Sequence, residues 1–401
     1  MEGKGLVVGN YCHDVLIRDG VVVSETLGGS ASFVSNVLDS LSKTTTTTTS
    51  SSSSHCYVSK VGPDFSYSRS VSRHPPIICS LPSKTTLFHA YFSSSSSSNN
   101  NDDDDRILRR IHACATISLS DLPPPPPSPR FDFGLAIGVA GEIAPETLDR
   151  MLDLCRHVFV DVQALIRTFD PSDGAVRLVA LKDSGFHHLL PRISFLKASA
   201  EEAVFVDVEE ARAHCCVIVT DGEEGCRIYW RDGEMQIPSF RTVQIDSTGA
   251  GDSFLGGFVA GLCWGLAVPD AALLGNFFGA LTVSQIGVPK FSPKMLKKVK
   301  DKLERKMRSI SCHESREEFD FRKSVEYEEL RTFLVEAAKL QGTDVNFDDQ
   351  QESQNALGME QNSHQDNRNQ QKIILSSVCE VIRPTEEQDK NGPINSCSFC
   401  E

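Results

Sequence analysis

Residues 246–257 read DSTGAGDSFLGG, between a predicted strand and a predicted apolar helix. At the start of such a helix, Gly249, Ala250 and Gly251 present backbone N–H groups at the positive end of the helix dipole, which is a site for phosphate or another anion. Asp252 follows in the first helical turn. Because a carboxylate is electrostatically unfavourable beside a phosphate, its presence predicts a chemical role, in which it accepts the proton of a hydroxyl that attacks phosphorus.

A simpler interpretation of this stretch is a helix N-terminus with an acidic first-turn residue, which stabilises a helix by about 0.3–1 kcal/mol. The glycines that follow argue against it. Gly256, Gly257, Gly261 and Gly265 fall inside the predicted helix, where each costs up to about 1 kcal/mol relative to alanine. We therefore expect this helix to pack closely against its neighbours and the motif to be functional.

Apolar runs and helical patterns alternate along the rest of the chain, which is typical of βαβ units with helices on both faces of a parallel sheet. The predicted strands cover 5–10, 20–27, 131–139, 157–162, 193–196 and 215–220, followed by three short strands that end near Ile245. The predicted helices cover 30–41, 145–155, 200–213, 249–284, 294–307 and 324–340. In the helix 294–307, the residues expected on one side are Leu296, Val299, Leu303 and Met307. The sequence thus predicts an α/β fold.

The chain has 401 residues, with 40 Lys and Arg against 54 Asp and Glu, and a formal net charge of −14. Four segments are too polar to fold alone, namely 44–54, 93–105, 123–129 and 343–401. Most of the net charge belongs to the aspartates at 102–105 and to the last of these segments, which has 11 acidic and 4 basic residues. The overall acidic balance disfavours nucleic acid and an anionic membrane as partners, whereas the rest of the chain is close to neutral and its charge says nothing about partners.

No segment has the pattern of a signal peptide, and the longest apolar run, 254–268, is short for a bilayer. We expect a cytoplasmic protein whose 13 cysteines are reduced. Cys397 and Cys400 lack a second ligand pair, so we interpret them as free thiols rather than a zinc site. The chain has no GxxxxGK[ST] P-loop, and the DFG tripeptide at 132–134 lies in a predicted strand without an HRD loop.

The string at 246–252 resembles the C-terminal signature of the phosphofructokinase-B type, or ribokinase-like, sugar kinases. The sequence GGSA at 28–31, with Asn36, is similar to the N-terminal glycine motif of that family. The resemblance extends from about residue 5 to residue 308, interrupted by the low-complexity segments. Five further strings resemble the inositol-phosphorylating branch of the family in plants: GNYCHDVLI, VSKVGPDF, TTLFHAYF, FVDVQALIRTFDP and FLKASAEEA.

The resemblance implies a ribokinase-like three-layer α/β/α kinase domain over 1–310, with a mostly parallel central sheet and a small β-sheet lid. The lid strands are expected within about 10–30 and 84–118. The first three low-complexity segments are expected to be loop insertions, because loop-closure cost grows slowly with length. One more helix is expected within 311–342, and a disordered, Gln/Asn-rich acidic tail over 343–401.

The resemblance also assigns roles to residues. Asp252 matches the catalytic base, and Gly249, Ala250 and Gly251 match the anion hole; these three residues and Thr248 are also expected to bind ATP. The other residues expected to bind ATP are Ser199, Glu202, Thr220, Gly222, Gly225 and Asn276, and Glu202 is expected to bind Mg²⁺ through water. The residues expected to bind the acceptor are Asp14, Gly28, Gly29, Asn36, Asp161 and Gln163, together with Asp252. Ser199 departs from the family's asparagine, whereas Glu202 keeps the carboxylate.

Two of these polar residues have a second interpretation. Asp161 lies in an apolar run and is costly to bury unpaired, which is compatible either with a role facing the site or with a structural hydrogen bond. Asp14 follows a predicted strand and could equally cap a turn. Arg167 is a weaker candidate for contact with the substrate.

A phosphorylated acceptor would call for Arg or Lys beside the glycine motif, and between residues 5 and 41 the chain offers only Arg18. A neutral polyhydroxyl acceptor is therefore expected, which leaves myo-inositol, ribose, fructose and nucleosides such as adenosine open. The resemblance favours ATP-dependent phosphorylation of myo-inositol to the 3-phosphate, an early step of inositol phosphate and phytate synthesis. A non-catalytic scaffold of the same fold is the other alternative, and the intact GAGD argues against it.

The cofactors that the resemblance implies are ATP and Mg²⁺, and a monovalent cation is compatible with it. The expected partners are small molecules, with neither a nucleic acid nor a membrane among them. The chain is expected to be a monomer or a homodimer.

Overall fold

The structure is a computed structural model, and it describes residues 3–42, 55–92, 107–124, 131–310 and 319–342. The loop insertions expected at 44–54 and 93–105, and most of the one at 123–129, lie outside the described residues. The expected tail, with Cys397 and Cys400, lies outside them as well.

Strands and helices alternate along the described chain. The strands are β1 Gly5–Val8, β2 Cys12–Arg18, β3 Val21–Gly28, β4 His55–Val58, β5 Lys60–Val61, β6 Ile77–Ile78, β7 Thr86–Phe92, β8 Ile107–His112, β9 Phe131–Ala136, β10 Cys155–Asp161, β11 Arg167–Phe169, β12 Val176–Leu178, β13 Phe195–Ser199, β14 Cys216–Thr220, β15 Cys226–Trp230 and β16 Gly233–Ile237. The helices are α1 Ser30–Leu41, α2 Pro145–Leu154, α3 Gln163–Ile166, α4 Ala200–Ala203, α5 Val208–Ala211, α6 Ala250–Cys263, α7 Val268–Val283, α8 Pro293–Ile310 and α9 Tyr327–Ala338. Short 3₁₀ turns occur at Leu181–Asp183, His187–Arg192, Gly222–Glu224 and Lys339–Gln341.

The central sheet has eight strands in the order β16-β15-β14-β13-β10-β9-β1-β4. The pairs from β4 to β14 are parallel, and the last two pairs, β14 with β15 and β15 with β16, are antiparallel. Successive side chains of a strand point to opposite faces. Accordingly, Leu6 and Val8 of β1 lie in one hydrophobic cluster and Val7 in another.

Helices cover both of these faces. The cluster of Val7 contains buried residues of α1, α6, α7, α8 and α9, and the cluster of Leu6 contains Leu148 and Met151 of α2. The three-layer α/β/α fold with a mostly parallel sheet is thus confirmed.

The glycines of α6 allow close helix packing, as the sequence predicts. A Cβ atom at Gly256 would lie 3.0 Å from Val37 Cβ of α1, and one at Gly257 would lie 3.0 Å from the Leu274 carbonyl of α7. Gly265 is different, because it lies after the end of α6 with φ 81°. The prediction that Gly265 is inside the helix was therefore wrong. A glycine is needed at this position because the turn between α6 and α7 is left-handed there.

A separate four-stranded sheet has the order β3-β2-β7-β8. Its strands fall within 10–30 and 84–118, where the lid was expected. On β2, Asp14 pairs with Thr26 of β3 and with Phe88 of β7, so these three side chains share one face of the sheet. The small lid sheet is confirmed.

Three local predictions were wrong. The stretch 200–213 forms two single-turn helices rather than one, because the side chain of Asp207 accepts the Glu210 N–H and starts a new helix, α5. In the described part of the chain only two strands follow β14, since the N–H groups of Ile245 and Asp246 bond to the Val283 carbonyl at the end of α7 instead of to a sheet. In the amphipathic helix α8, Val299 and Leu303 are buried as predicted, but Leu296 is only partly buried against the same cluster, and Met295, which was not predicted there, is fully buried.

Three further features of the sequence concern the DFG tripeptide, the cysteines and the apolar helices. The DFG tripeptide at 132–134 lies in β9, where Asp132 accepts the Lys4 N–H. No disulfide links the cysteines that the structure describes. Among the described helices, none combines the length and the apolar character needed to cross a lipid bilayer.

Candidate active site

Three parallel strands, β10, β13 and β14, end side by side at one edge of the central sheet. Their register pairs Asp161 with Lys197 and Ser199 with Thr220. The N-terminus of α6 reaches the same edge, since a Cβ atom at Gly251 would lie 2.7 Å from Lys197 Nζ. In open α/β sheets, ligands bind at the carboxyl ends of the strands. This edge is therefore the candidate active site.

The turn that begins α6 requires glycine. Gly249 precedes the helix with φ 76°, in the left-handed region, and a Cβ atom there would overlap the ring of Phe33. Phe33 belongs to α1, so α1 packs directly against the turn. Ala250 and Gly251 open the helix and Asp252 lies in its first turn, as predicted. The helix dipole makes this turn favourable for an anion.

Neutral hydrogen-bonding groups hold the carboxylate of Asp252. Gln163 Nε2 donates to Asp252 Oδ1 at 3.3 Å and to Ser30 Oγ at 2.9 Å, and the Ser30 side chain also bonds to Asp252. Burial raises the pKa of Asp252 above its ordinary value, although Lys197 and Ser30 act against this rise. A positioned carboxylate with a raised pKa is suited to accept a proton from a hydroxyl.

A buried ion pair lies close to Asp252. Lys197 is 6% exposed and Asp161 is 0% exposed, and Lys197 Nζ donates to Asp161 Oδ2 at 3.0 Å. Burial alone would lower the pKa of Lys197, but Asp161, Glu202 and Asp252 outweigh it and raise that pKa. Burial also raises the pKa of Asp161. Lys197 therefore keeps its positive charge at this edge, although the sequence pattern did not mark it as a site residue.

The carboxylate of Glu202 is fixed by a capping box at the start of α4. Glu202 Oε2 accepts the Ser199 N–H at 3.0 Å, while Ser199 Oγ accepts the Glu202 N–H at 3.2 Å. Glu202 Oε1 accepts Arg167 Nη2 at 3.3 Å. Burial would raise the pKa of Glu202, but Lys197, Arg167 and the Ser199 N–H outweigh it and hold that pKa below its ordinary value. The Ser199 hydroxyl is thus engaged in the cap, and Glu202 stays ionised.

On the lid side, Asp14 and the glycines at 28 and 29 lie together. A Cβ atom at Gly28 would overlap the Asp14 carboxylate, and one at Gly29 would overlap the Asn10 carbonyl. Both glycines therefore allow a close approach of chain segments. Burial and the negative charge of Asp14 raise the pKa of the Cys12 thiol.

Asn36 lies apart from these residues. It is six positions after Ser30 on α1, about 9 Å along the helix axis at 1.5 Å per residue. Its Nδ2 donates to the Pro289 carbonyl at 2.8 Å, and it lines a cavity of about 550 Å³ beside β3. The contact of Asn36 with the acceptor stays a prediction.

The residues expected at ATP surround the turn that follows β14. Thr220 ends that strand, Gly222 begins the 3₁₀ turn and Gly225 follows it. Asn276 of α7 lies nearby. Its Nδ2 donates to the carbonyl of Ile237, the last residue of β16, at 3.2 Å and to that of Pro238 at 2.9 Å. Their contact with ATP stays a prediction.

Arg110 is a second cation that the sequence pattern did not mark. The register pairs it with Phe88, which in turn pairs with Asp14, so Arg110 and Asp14 share a face of the lid. The guanidinium lies 3.6 Å from the centroid of the Phe169 ring and donates to the Ala140 carbonyl. These contacts hold the lid against β11.

Two side-chain oxygens of the stretch 246–252 have no hydrogen-bond partner among the described residues. Asp246 Oδ1 accepts the Thr248 N–H at 2.9 Å, whereas the buried Asp246 Oδ2 and Thr248 Oγ1 find no donor or acceptor in that part of the chain. A buried carboxylate oxygen without a donor is costly. A cation at this place would satisfy it.

Comparison with known proteins agrees with this geometry. The sequence profile of the pfkB family carbohydrate kinases matches residues 146–295, which include β10, β13, β14 and α6. The chain is 55% identical over 344 residues to an inositol 3-kinase of Oryza sativa subsp. japonica, covering 84% of this chain and 83% of that one. The chain belongs to the pfkB family of carbohydrate kinases. This pfkB kinase is also 55% identical over 311 residues to an inositol 3-kinase of Arabidopsis thaliana, covering 77% and 82% of the two chains.

Solved structures share the fold of this pfkB kinase at low sequence identity. A sulfate complex of a pyrophosphate-dependent kinase in the ribokinase family superposes with a TM-score of 0.57 at 16% identity, covering 71% of this chain and 97% of that one. A kinase of the same description, complexed with a pyrophosphate analog and myo-inositol, gives a TM-score of 0.54 at 14% identity with the same coverage. The ribokinase-like fold expected from the motifs is confirmed.

Proposed function

We propose that this pfkB kinase transfers the γ-phosphoryl group of ATP to myo-inositol and forms the 3-phosphate. The observation that carries the proposal is the 55% identity to an inositol 3-kinase over 84% of this chain. The geometry supports it, because a carboxylate with a raised pKa, Asp252, lies beside a helix N-terminus that can bind a phosphoryl group.

In the proposed reaction, Asp252 accepts the proton of the attacking hydroxyl. Gln163 and Ser30 orient its carboxylate through their hydrogen bonds. The turn at Gly249 and Gly251 stabilises the oxygens of the transferring phosphoryl group, where negative charge is concentrated. Asp14 binds acceptor hydroxyls from the lid, and the lid excludes water, which would otherwise compete as an acceptor.

Glu202 is the residue that fits Mg²⁺. Among the described residues, no group of three or more His, Cys, Asp and Glu could hold a metal ion, but Mg²⁺ usually binds one or two carboxylates and keeps several waters and phosphate oxygens. The ionised, capped Glu202 meets that need through water. When bound, the ion neutralises charge on the β- and γ-phosphates of ATP.

Asp246 and Thr248 fit a monovalent cation. The buried Asp246 Oδ2 and Thr248 Oγ1 are oxygen ligands without a partner among the described residues. A cation bound by these oxygens would place positive charge next to the turn at Gly249. Asp246 Oδ1 holds the Thr248 N–H and so keeps the turn in place.

The test is ADP release by the purified full-length chain with ATP and a panel of acceptors: myo-inositol, fructose, ribose, adenosine and fructose 6-phosphate. We expect kcat/KM for myo-inositol to exceed that for each other acceptor by at least about 10²-fold, because unpaired polar groups in a hydroxyl-binding site penalise poor fits. A higher kcat/KM for another neutral acceptor would replace myo-inositol in the proposal. Absence of turnover with all of them would support a non-catalytic scaffold.

A further inference from the structure

We propose that Lys197 is a catalytic residue whose ammonium group contacts the transferring phosphoryl group. This inference rests on the proposed function, because it needs a phosphoryl group at the turn of α6.

The position of Lys197 on β13 directs its side chain into the site. Lys197 and Ser199 are two residues apart on the same strand and so point to the same face. The Ser199 hydroxyl accepts the Glu202 N–H and is used in the cap. Lys197 Nζ reaches further, to 2.7 Å from the place where a Cβ atom of Gly251 would lie. The ammonium group therefore lies at the anion-binding turn itself.

The hydrogen bonds of Lys197 leave it able to bind an anion. Within the part of the chain that the structure describes, Nζ donates one hydrogen bond, to Asp161 Oδ2 at 3.0 Å, and an ammonium group has three donors. Asp161 fixes the direction of the side chain. Gly251 has no side chain, so no Cβ atom occupies the place 2.7 Å from the ammonium nitrogen.

The charges around the site require a cation in this place. Asp252, Asp161 and Glu202 are three carboxylates near one another, and each contributes to the charge state of Lys197. A phosphoryl group that approaches Asp252 brings further negative charge. Arg167 donates to Glu202, whereas the ammonium group of Lys197 lies at the turn that begins α6. The surrounding carboxylates keep Lys197 protonated.

The step balances without a proton from Lys197. The acceptor oxygen forms a bond to the γ-phosphorus, the bond from that phosphorus to the bridging oxygen breaks, and ADP leaves with the electron pair. The hydroxyl proton goes to Asp252. Lys197 keeps its three protons and stabilises the charge on the equatorial oxygens.

A second ion pair in the chain supplies a matched control. Lys306 is 6% exposed and Asp270 is 0% exposed, the same values as for Lys197 and Asp161, and Lys306 Nζ donates to Asp270 Oδ1 at 2.6 Å. This pair joins α7 and α8 away from the ends of β10 and β13. Loss of either lysine leaves a buried carboxylate without its cation, so both losses destabilise the fold. Only one of them removes a cation from the active site.

The experiment compares Lys197→Met, Lys306→Met and the double variant Lys197→Met/Asp161→Asn in the full-length chain. The double variant removes both charges of the pair and so avoids an unpaired buried carboxylate. We measure Tm, kcat with ATP and myo-inositol, and the Kd values of ADP alone and of ADP with aluminium fluoride, which mimics the transferring phosphoryl group.

We expect both single variants to lower Tm. Only Lys197→Met should lower kcat, by about 10²–10³-fold, as for loss of one donor to a developing oxyanion. The same variant should weaken binding of ADP with aluminium fluoride by at least about 10²-fold and that of ADP by only a few-fold. The double variant should regain Tm and remain slow.

Recovery of turnover in the double variant, or unchanged binding of the mimic in Lys197→Met, would show that Lys197 only balances Asp161 and would overturn the inference. A failure of the proposed function gives a different result from a failure of the role of Lys197. If the wild-type chain does not phosphorylate myo-inositol, the acceptor assignment is wrong, while the binding of ADP with aluminium fluoride still decides the role of Lys197.

Discussion

Replacing Gly28 with alanine tests whether Asp14 binds the acceptor. An added Cβ atom would overlap the Oδ1, Oδ2 and Cγ atoms of Asp14, so the carboxylate must rotate away. The substitution changes no charge and removes no hydrogen-bonding group. Gly28 ends β3 and is not among the glycines with positive φ, so alanine fits its backbone, and the free energy of unfolding should change by no more than about 1 kcal/mol.

The expected loss corresponds to one hydrogen bond, because the displaced carboxylate of Asp14 no longer accepts a hydrogen bond from a hydroxyl of the acceptor. A hydrogen bond to a charged group contributes about 1.5–3 kcal/mol, which corresponds to a fall in kcat/KM for myo-inositol of about 10- to 150-fold. The KM for ATP should stay within a few-fold, because the residues expected to bind ATP lie around β14 and α7. Steady-state ADP release at varied concentrations of each substrate measures both values.

A double-mutant cycle with Asp14→Ala makes this test specific. If Gly28→Ala acts only by displacing Asp14, it should have no further effect on kcat/KM in the Asp14→Ala background. Additive losses would show that Gly28→Ala does not act through Asp14, and an unchanged kcat/KM for myo-inositol in Gly28→Ala itself would show that Asp14 does not bind the acceptor.

Three other perturbations address the rest of the site. Gln163→Leu should lower kcat by about 10-fold or more and leave the KM for ATP unchanged, because a hydrogen bond to a charged group such as the Asp252 carboxylate contributes about 1.5–3 kcal/mol; steady-state kinetics measure this, and an effect on the KM for ATP alone would contradict it. The raised pKa of Asp252 means that the base is protonated as pH falls through that value, so kcat/KM should fall on the acid side. Glu202→Gln should move this fall to lower pH, since the negative charge of Glu202 raises the pKa of Asp252; a pH–rate profile with no displacement in that direction would count against the assignment. Gly249→Ala should destabilise the fold by about 1–2 kcal/mol for the left-handed backbone alone, with more from the overlap with the Phe33 ring, and a Tm equal to that of the wild type would show that the turn differs from the one described.

The elements predicted well from the sequence are those whose periodicity is strong and local. The helix at 30–41 was predicted with both of its observed ends, because a glycine pair precedes it and apolar residues recur at helical spacing. The strands β9, β10, β13 and β14 are apolar runs with mostly buried residues, so they stood out in the sequence. Asp252 was predicted at the first turn of α6 because glycines directly before an apolar helix are typical of an anion-binding turn.

The features that were missed depend on contacts between distant parts of the chain. Lys197 and Asp161 are 36 positions apart and meet only because β10 and β13 are adjacent in register. A signal was present, since each is a charged residue inside an apolar strand and is costly to bury unpaired, but one sequence does not show which strands are neighbours. Asn36 was assigned through the family resemblance, and its contact with the acceptor stays a prediction; the structure shows its amide donating to the Pro289 carbonyl, 253 positions away, which no local pattern indicates.

The helix expected over 200–213 illustrates a different limit. Its apolar and acidic residues fit one long helix, but Ser199 and Asp207 each accept a backbone N–H at the start of a separate turn. These two capping residues therefore divide the segment. Capping preferences compete locally with helix periodicity, and the spacing alone does not show which prevails.

In the proposed reaction, Asp252 accepts the hydroxyl proton when the γ-phosphoryl group of ATP is transferred to myo-inositol. The most direct measurement is the rate at which wild type and Asp252→Asn form myo-inositol phosphate from ATP, followed by phosphorus NMR, with ATP affinity measured on the same samples. We expect product from the wild type, a rate at least about 10²-fold lower in Asp252→Asn, and retained ATP binding. Product formation by Asp252→Asn at a rate close to that of the wild type would contradict it.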